Sequence, residues 1–368
     1  MIERKGVFKM NRPAYIWTAP ALVAASLALS ACGGGSIVPG TSPVDLAGGV
    51  HRSIAPAESA NKSARCAKEA CIYVGNEDSS ITVYQKNGSG NVAPVQRIAG
   101  SNTGLDDVWA VAVDASRDIY AANYSGSISS LGDVTVYAAG ARGNVAPIAT
   151  IQGSYGADKM SAPSGIGLDS SGNIYVSGQD SNSVSVYPPG SNGYAQPTQY
   201  IKGVYTGLYS PDSLAVSGKG TTYVTNWDGH TGSVTIYAPG ASGNVTPVRT
   251  ISGSNTGIDN PNAVAVDGKG KVYVSSTPSG SVAGCCITVY AKNANGNVAP
   301  IRSIGGPKTQ IYWPYGIAVD SQDNIYVTQG KTNSINVYAK GANGNVAPIR
   351  VVSGSRTELN VPKGLVVR

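Results

Sequence analysis

The 368 residues carry a net charge of +6, yet only 13% are charged, with 47 glycines, 21 prolines and 41% apolar residues. That balance excludes a disordered polyelectrolyte and points to an all-β, turn-rich fold with enough apolar mass for a core. Without the first 31 residues, which hold four basic residues and Glu3, the charge is +3. No Lys/Arg cluster then remains to argue for nucleic acid as a partner.

Arg4, Lys5, Lys9 and Arg12 form a basic n-region, followed by an apolar run ending ALVAASLALSAC at Cys32. The run is interrupted by Pro20 and is shorter than the roughly 20 residues needed to span a bilayer. Leu29-Ser30-Ala31-Cys32 resembles the bacterial lipobox. The resemblance implies that residues 1–31 are a signal peptide (with Met10 as an alternative start) and that Cys32 carries a lipid, the sole expected membrane attachment. The expected location is periplasmic or cell-surface. For a Gram-negative source it is the outer membrane, because Gly33 rather than an Asp retention signal follows. Residues 32–65, rich in Gly, Ser, Pro and Ala, read as a flexible tether of about 30 Å average reach.

From residue 66 onward the chain repeats itself. The cleanest copy, starting at Pro314, reads PYGIAVDSQDNIYVTQGKTNSINVYAKGANGNVAPIRVVSG, four short strands with a turn between each pair. One tyrosine recurs at 73, 120, 175, 223, 273 and 326, and another at 84, 137, 187, 237, 290 and 338. A GNVAP-type turn starts at Gly90, Gly143, Gly193, Gly243, Gly296 and Gly344. Tandem four-stranded units of about this length predict a six-bladed β-propeller.

The first strand of the unit precedes copies two to six as AVAV (Ala110), GIGL (Gly165), SLAV (Ser213), AVAV (Ala263) and GIAV (Gly316). Copy one lacks it, and Gly364–Val367 stands unpaired at the C-terminal end. The last strand is therefore expected to complete the first blade and close the ring, removing its open edges. Small residues alternate with large ones in this strand, as needed where blades converge. The twelve repeated tyrosines read as core, each with a hydroxyl that needs a partner. GNVAP reads as turn chemistry, its proline blocking pairing at the outermost strand. Asp114, Asp169, Asp267 and Asp320 read as starts of Asx-turns rather than calcium ligands.

The pattern P-x-G-I-A-V-D-x-x-x-N-I-Y-V followed by S-x-x-V-Y resembles the NHL repeat family of six-bladed propellers. The closest copies begin at Pro163 and Pro314. The resemblance covers residues 71–368 and implies the fold. It leaves function open, since that family includes enzymes, receptors and scaffolds.

Four cysteines follow Cys32. Cys66–Cys71 is expected to be a disulfide stapling the tether to blade one. Cys285–Cys286 is expected either as a vicinal disulfide or as free thiols.

The loops entering strand one and leaving strand two share one face, and they vary while the opposite turns repeat. The residues just before strand one are Trp109, Ser164, Asp212, Asn262, Tyr315 and Lys363. These should circle the channel mouth. Those following strand two include Asn76, Asn123, Gln179, Asn226, Ser276 and Gln329. Trp227 and Trp313 fall in the same loop set. Trp109, Asp212, Asn226, Trp227, Asn262, Trp313, Tyr315 and Lys363 are accordingly the candidate ligand-binding residues, against the alternative that large loops bury their own aromatics. Asp228 and His230 form a candidate acid–base pair, with a solvated turn as the plainer reading.

Three functions are compatible with this pattern. The leading expectation is a monomeric, lipid-anchored binding module of the cell envelope whose partner is a glycan, a peptide or an envelope protein, with no cofactor. The second is a metal-dependent lactonase- or lyase-like enzyme with a divalent ion at the mouth. Asp212, Asn226 and Asn262 imitate the acidic and amide set of gluconolactonase-like propellers. The flanking Glu is missing, because past Glu58 only Glu69, Glu77 and Glu358 occur. No His cluster resembling that of the amidating lyases is present. The third is an envelope scaffold for a protein partner.

Overall fold

The computed structural model describes residues 66, 70–124, 132–153, 160–229, 232–277 and 286–368. The leader, Cys32, the tether, His230 and Cys285 lie outside the described residues, and so does the Cys286 side chain.

Six four-stranded antiparallel sheets form the blades. Blade 1 runs from the axis outward as Pro362–Val367, Cys71–Asn76, Ser80–Gln85 and Gln96–Ile98. Blade 2 is Val108–Val113, Ile119–Asn123, Asp133–Tyr137 and Ala149–Gln152. Blade 3 is Pro163–Leu168, Ile174–Gly178, Ser183–Tyr187 and Gln199–Lys202. Blade 4 is Pro211–Val216, Thr222–Trp227, Gly232–Tyr237 and Arg249–Ser252. Blades 5 and 6 begin with Pro261–Val266 and Pro314–Val319 and end with Arg302–Gly305 and Arg350–Ser353.

The C-terminal strand joins the first blade: Ile72, Tyr73 and Val74 face Val367, Val366 and Leu365. The core consists of apolar clusters sandwiched between successive blades, such as Tyr175, Val184, Leu214 and Tyr237 between blades 3 and 4. Inner strands approach closely enough to require glycine. A Cβ on Gly165 would stand 2.6 Å from the Leu214 nitrogen, and one on Gly316 would stand 2.5 Å from the Lys363 carbonyl oxygen.

Eleven of the twelve repeated tyrosines are buried core and Tyr120 is partly buried, and the hydroxyls of the two series have different partners. The second-strand hydroxyls of Tyr175, Tyr273 and Tyr326 donate to Asp169, Asp267 and Asp320 at 3.1–3.2 Å. The same carboxylates accept turn amides, as Asp320 does from Gln322 N and Asn324 N, which is the geometry of an Asx-turn. The third-strand hydroxyls cross to the loop arriving from the preceding blade. Tyr137, Tyr237 and Tyr290 donate to the carbonyls of Thr103, Thr206 and Thr256 at 2.5–2.6 Å. Those threonines are buried, and each hydroxyl donates back to a glycine carbonyl three residues earlier.

The GNVAP segment does more than turn the chain. Its glycine, at positive φ, forms a parallel bridge to the outermost strand of the preceding blade at all six junctions. Gly143 N donates to Arg97 O at 2.8 Å, and Ala99 N donates to Gly143 O at 3.2 Å. The next residue, Asn144, accepts the Asn102 amide through Oδ1 at 2.7 Å. The outer edge is therefore engaged by the next blade and not only blocked by proline. Across the closure the same clasp joins Gly90 N to Val351 O at 2.6 Å, and Tyr84 donates to the Thr357 carbonyl. A disulfide joins Cys66 to Cys71.

Candidate functional site at the entry rim

The six positions expected around the channel mouth are all the second residue of an inner strand, and each sits at a break in strand register. The break is a bulge, which re-aims a side chain at the start of a strand. Two residues earlier in each blade stands a non-glycine residue at positive φ: Asp107, Ala162, Ser210, Asn260, Trp313 and Val361, with φ between 39° and 53°. Left-handed backbone costs roughly 1–2 kcal/mol for such residues. Because all six blades share it, this strain belongs to the architecture of the rim.

Contacts between neighbouring blades then link most of the rim. The buried Lys363 ammonium lies 4.4 Å from the Trp109 ring centroid on one side and 4.5 Å from that of Tyr315 on the other. Blades 6, 1 and 2 thus present a cation between two π-faces. Glu77, whose side chain is 50% exposed, accepts from the same ammonium at 3.0 Å. Trp109 packs on Tyr124 with centroids 4.5 Å apart. The Tyr124 hydroxyl donates to Gln179 Oε1 at 2.9 Å, and Gln179 Nε2 donates to the buried Asp212. Tyr315, Lys363, Trp109, Tyr124, Gln179 and Asp212 therefore form one connected arc. Beside it, Asp107 has its carboxyl pushed up to about 6, by burial first and then by Glu77 and Asp106, with Lys363 opposing.

Other candidates hold the scaffold together. Asn226 accepts the Tyr209 amide at 3.1 Å and donates to Val224 O and the Thr235 hydroxyl. Asn76, Asn123 and Gln329 receive loop amides in the same way. Asn262 ties blade 5 to blade 6 by donating to Pro314 O at 2.7 Å and to the Thr277 hydroxyl at 2.8 Å. Ser164 likewise donates to Pro211 O at 2.5 Å. In blades 1, 2, 4 and 6 the amide side chain at the end of strand two thus takes up a loop N–H, which gives Asn and Gln a structural role at that position. Trp227 is half-buried and Asp228 exposed. Among the described residues no three His, Cys, Asp or Glu side chains converge as a metal site would require.

Among the described residues, the outward surface of the rim is aromatic on two blades. Tyr209 before blade 4, and Tyr312 and Trp313 before blade 6, are 58%, 40% and 49% exposed. The positions matching Trp313 and Tyr312 are Asp107 and Asp106 in blade 2, and Asn260 and Asp259 in blade 5. Tyr209 and Tyr312 belong with Trp109, Trp227, Trp313, Tyr124 and Tyr315 to the aromatic set that the sequence places in the variable loops, and both stand three residues before the rim position of their blade. Their exposure distinguishes them.

Comparison with known proteins agrees on the fold. The family model described as "Beta-propeller repeat" matches residues 301–338. No curated protein matches the sequence. Among solved structures, a protein of unknown function from Bacteroides caccae aligns with a TM-score of 0.56 at 11% identity, covering 81% of this chain and 98% of that one. A candidate 6-phosphogluconolactonase from Bacteroides uniformis aligns with a TM-score of 0.52 at 16% identity, covering 82% and 85%. A second one, from Bacteroides fragilis, gives 0.51 at 13% identity, covering 82% and 98%. At these identities the likeness is one of architecture. The chain is an all-β, six-bladed propeller.

Proposed function

We propose that this is a binding module of the cell envelope, exported and anchored through a lipid on Cys32, that takes a glycan or peptide at the entry rim. The exposed Tyr209, Tyr312 and Trp313 on a rigid ring carry this reading. Aromatic faces carried on loops whose backbone is hydrogen-bonded to Asn226, Gln329 and Gly330 offer stacking area to a ligand. The adjoining polar groups of Asn226 and Asn262 are engaged in loop and inter-blade bonds, so rim chemistry is directed to holding shape. The resemblance of the leader to lipoproteins supports the anchor, and replacing Cys32 with Ala should release the protein from membranes.

Tryptophan fluorescence tests the binding site, because Trp109, Trp227 and Trp313 all lie on this face. Purified muropeptides or envelope polysaccharide should quench a red-shifted component contributed by Trp313. Trp313→Asn, which suits the left-handed backbone there, should weaken binding three- to tenfold, the equivalent of about 0.5–1.5 kcal/mol for a lost aromatic contact. No response to either probe would overturn the reading. A melting temperature raised by calcium or zinc, together with lactone hydrolysis, would replace it with the enzymatic alternative.

A further inference from the structure

The quasi-sixfold ring is broken at its other end, where inner strands turn into second strands. Two residues beyond each third-strand tyrosine the chain has Lys86, Ala139, Pro189, Pro239, Lys292 and Lys340 in blades 1 to 6. Lysine thus occupies blades 5, 6 and 1, and short side chains occupy blades 2, 3 and 4. On the lysine side the turns are covered. Lys86 pairs with Asp320 at 2.9 Å, and Lys340 and Lys269 both pair with Asp323 at 3.0 and 3.1 Å. Lys292 lies over Gly270 closely enough that a Cβ there would meet its Cγ at 2.9 Å.

On the other side the turns Asp114-Ala115-Ser116 and Asp169-Ser170-Ser171-Gly172, together with Gly218, leave a cavity of about 640 Å³. Leu168 and Val216 supply its apolar wall, and Arg368 lines it from the closing strand, its Nε donating to Val113 O at 3.0 Å. This volume falls within the roughly 300–1,000 Å³ of small-ligand sites. An inner strand of six residues, about 20 Å long, separates it from the entry rim.

From this asymmetry we infer a second binding site at the turn end of blades 2 to 4, built for a neutral polyhydroxylated ring such as a monosaccharide. The lining combines the Ser116 and Ser171 hydroxyls, the Asp114 carboxylate and the Arg368 guanidinium with a small apolar wall, while the Ser170 hydroxyl donates to Gly218 O at 2.5 Å and holds two of the turns together. A bare anion would face Asp114 and Asp169, and a bare cation would face Arg368. The charge of Asp169 is already shared among four donors: the Ser171 and Asn173 amides, the Asn173 side chain and the Tyr175 hydroxyl. It therefore offers little to a ligand ammonium. A sugar ring matches the mixture, with hydroxyls that donate and accept and a C–H face for Leu168 and Val216.

The test titrates D-glucose, D-galactose and N-acetylglucosamine, with succinate and lysine as charged controls, into isotopically labelled protein followed by NMR. At least one sugar, at millimolar to tens of millimolar concentration, should shift amides of residues 114–118, 169–173 and 217–221 and leave the entry rim unmoved. Ala115→Trp and Ser171→Trp fill the cavity from exposed turns of two different blades. Each should weaken the response at least tenfold with an unchanged melting temperature, whereas Gly268→Ala in a turn of blade 5, where nothing lies within 4 Å of an added Cβ, should not alter it. The inference is overturned if no sugar shifts these turns, if the charged controls compete equally, or if both tryptophan variants bind as the parent does. None of these results bears on ligand binding at the rim.

Discussion

The Asn91 side chain accepts a hydrogen bond from the Arg356 amide at 2.7 Å, joining the first blade to the last across 265 residues of sequence. It is one of five such contacts, since Asn144, Asn244, Asn297 and Asn345 hold the loops of their preceding blades at 2.7–2.8 Å. In the third blade Tyr194 stands where the asparagine would be. The ring is therefore closed twice, once by the inner strand Pro362–Val367 and once at the circumference by the Gly90–Asn91 clasp.

Asn91→Ala should cost about 0.5–1.5 kcal/mol, the net worth of one hydrogen bond, and lower the melting temperature by a few degrees. Asn297→Ala, at an ordinary junction, should cost the same. Deleting residues 360–368 should do far more, because it exposes the edge of Cys71–Asn76 and removes buried Leu365. Calorimetry on the three variants checks the order, and equal melting of the deletion and the parent would refute closure by this strand.

Gly165→Ala should destabilise by about 1–3 kcal/mol through overpacking, because its Cβ would meet backbone of the next blade at 2.6 Å. Gly268→Ala is the control, since nothing lies within 4 Å of its added Cβ. Denaturant midpoints at constant slope would separate the two.

Burial raises the hydroxyls of Tyr137, Tyr175, Tyr237, Tyr273 and Tyr326 to about 12 from an ordinary 10, and raises those of Tyr84 and Tyr338 further. Unfolded tyrosines lose their protons from about pH 10, so the unfolded state then binds fewer protons than the folded one. The contribution of these groups to stability is complete below pH 10 and is lost as pH rises toward 12. Absorbance at alkaline pH should show this buried set ionising cooperatively, well above pH 10, as the fold opens. A single transition for all tyrosines near pH 10, in protein that remains folded, would contradict this.

Asp107 has a raised folded pKa of about 6, so its contribution favours folding most at low pH and weakens as pH rises from 4 through 6. Asp107→Asn, which tolerates the same left-handed backbone, should stabilise the protein at pH 7 by on the order of 1 kcal/mol. The gain should vanish near pH 4. Denaturation curves at pH 4, 5.5 and 7 check both sign and window, and a variant less stable than the parent at pH 7 would refute it.

Much of the fold was legible because a propeller blade is local. Four strands and their turns lie within about fifty residues, so tyrosine spacing and the unmatched Gly364–Val367 disclose blade count and closure strand before any contact is known. The ring of variable positions was legible for the same reason: Trp109, Tyr315 and Lys363 occupy one slot of one repeat. Their relation to each other was not. That the Lys363 ammonium is held between Trp109 and Tyr315 depends on blades 6, 1 and 2 converging at the axis, and the sequence separates Lys363 from Trp109 by most of the chain. The clasp was also hidden, because GNVAP reads as a turn in every copy. Only the placement of adjacent blades shows the Gly143 amide meeting the Arg97 carbonyl. Composition and period, which report local backbone preference and burial, thus determined an all-β six-bladed ring and the face that varies. Which of those variable side chains hold the ring and which face solvent was decided by packing between blades, since burial and hydrogen-bond satisfaction are properties of neighbours distant in the chain.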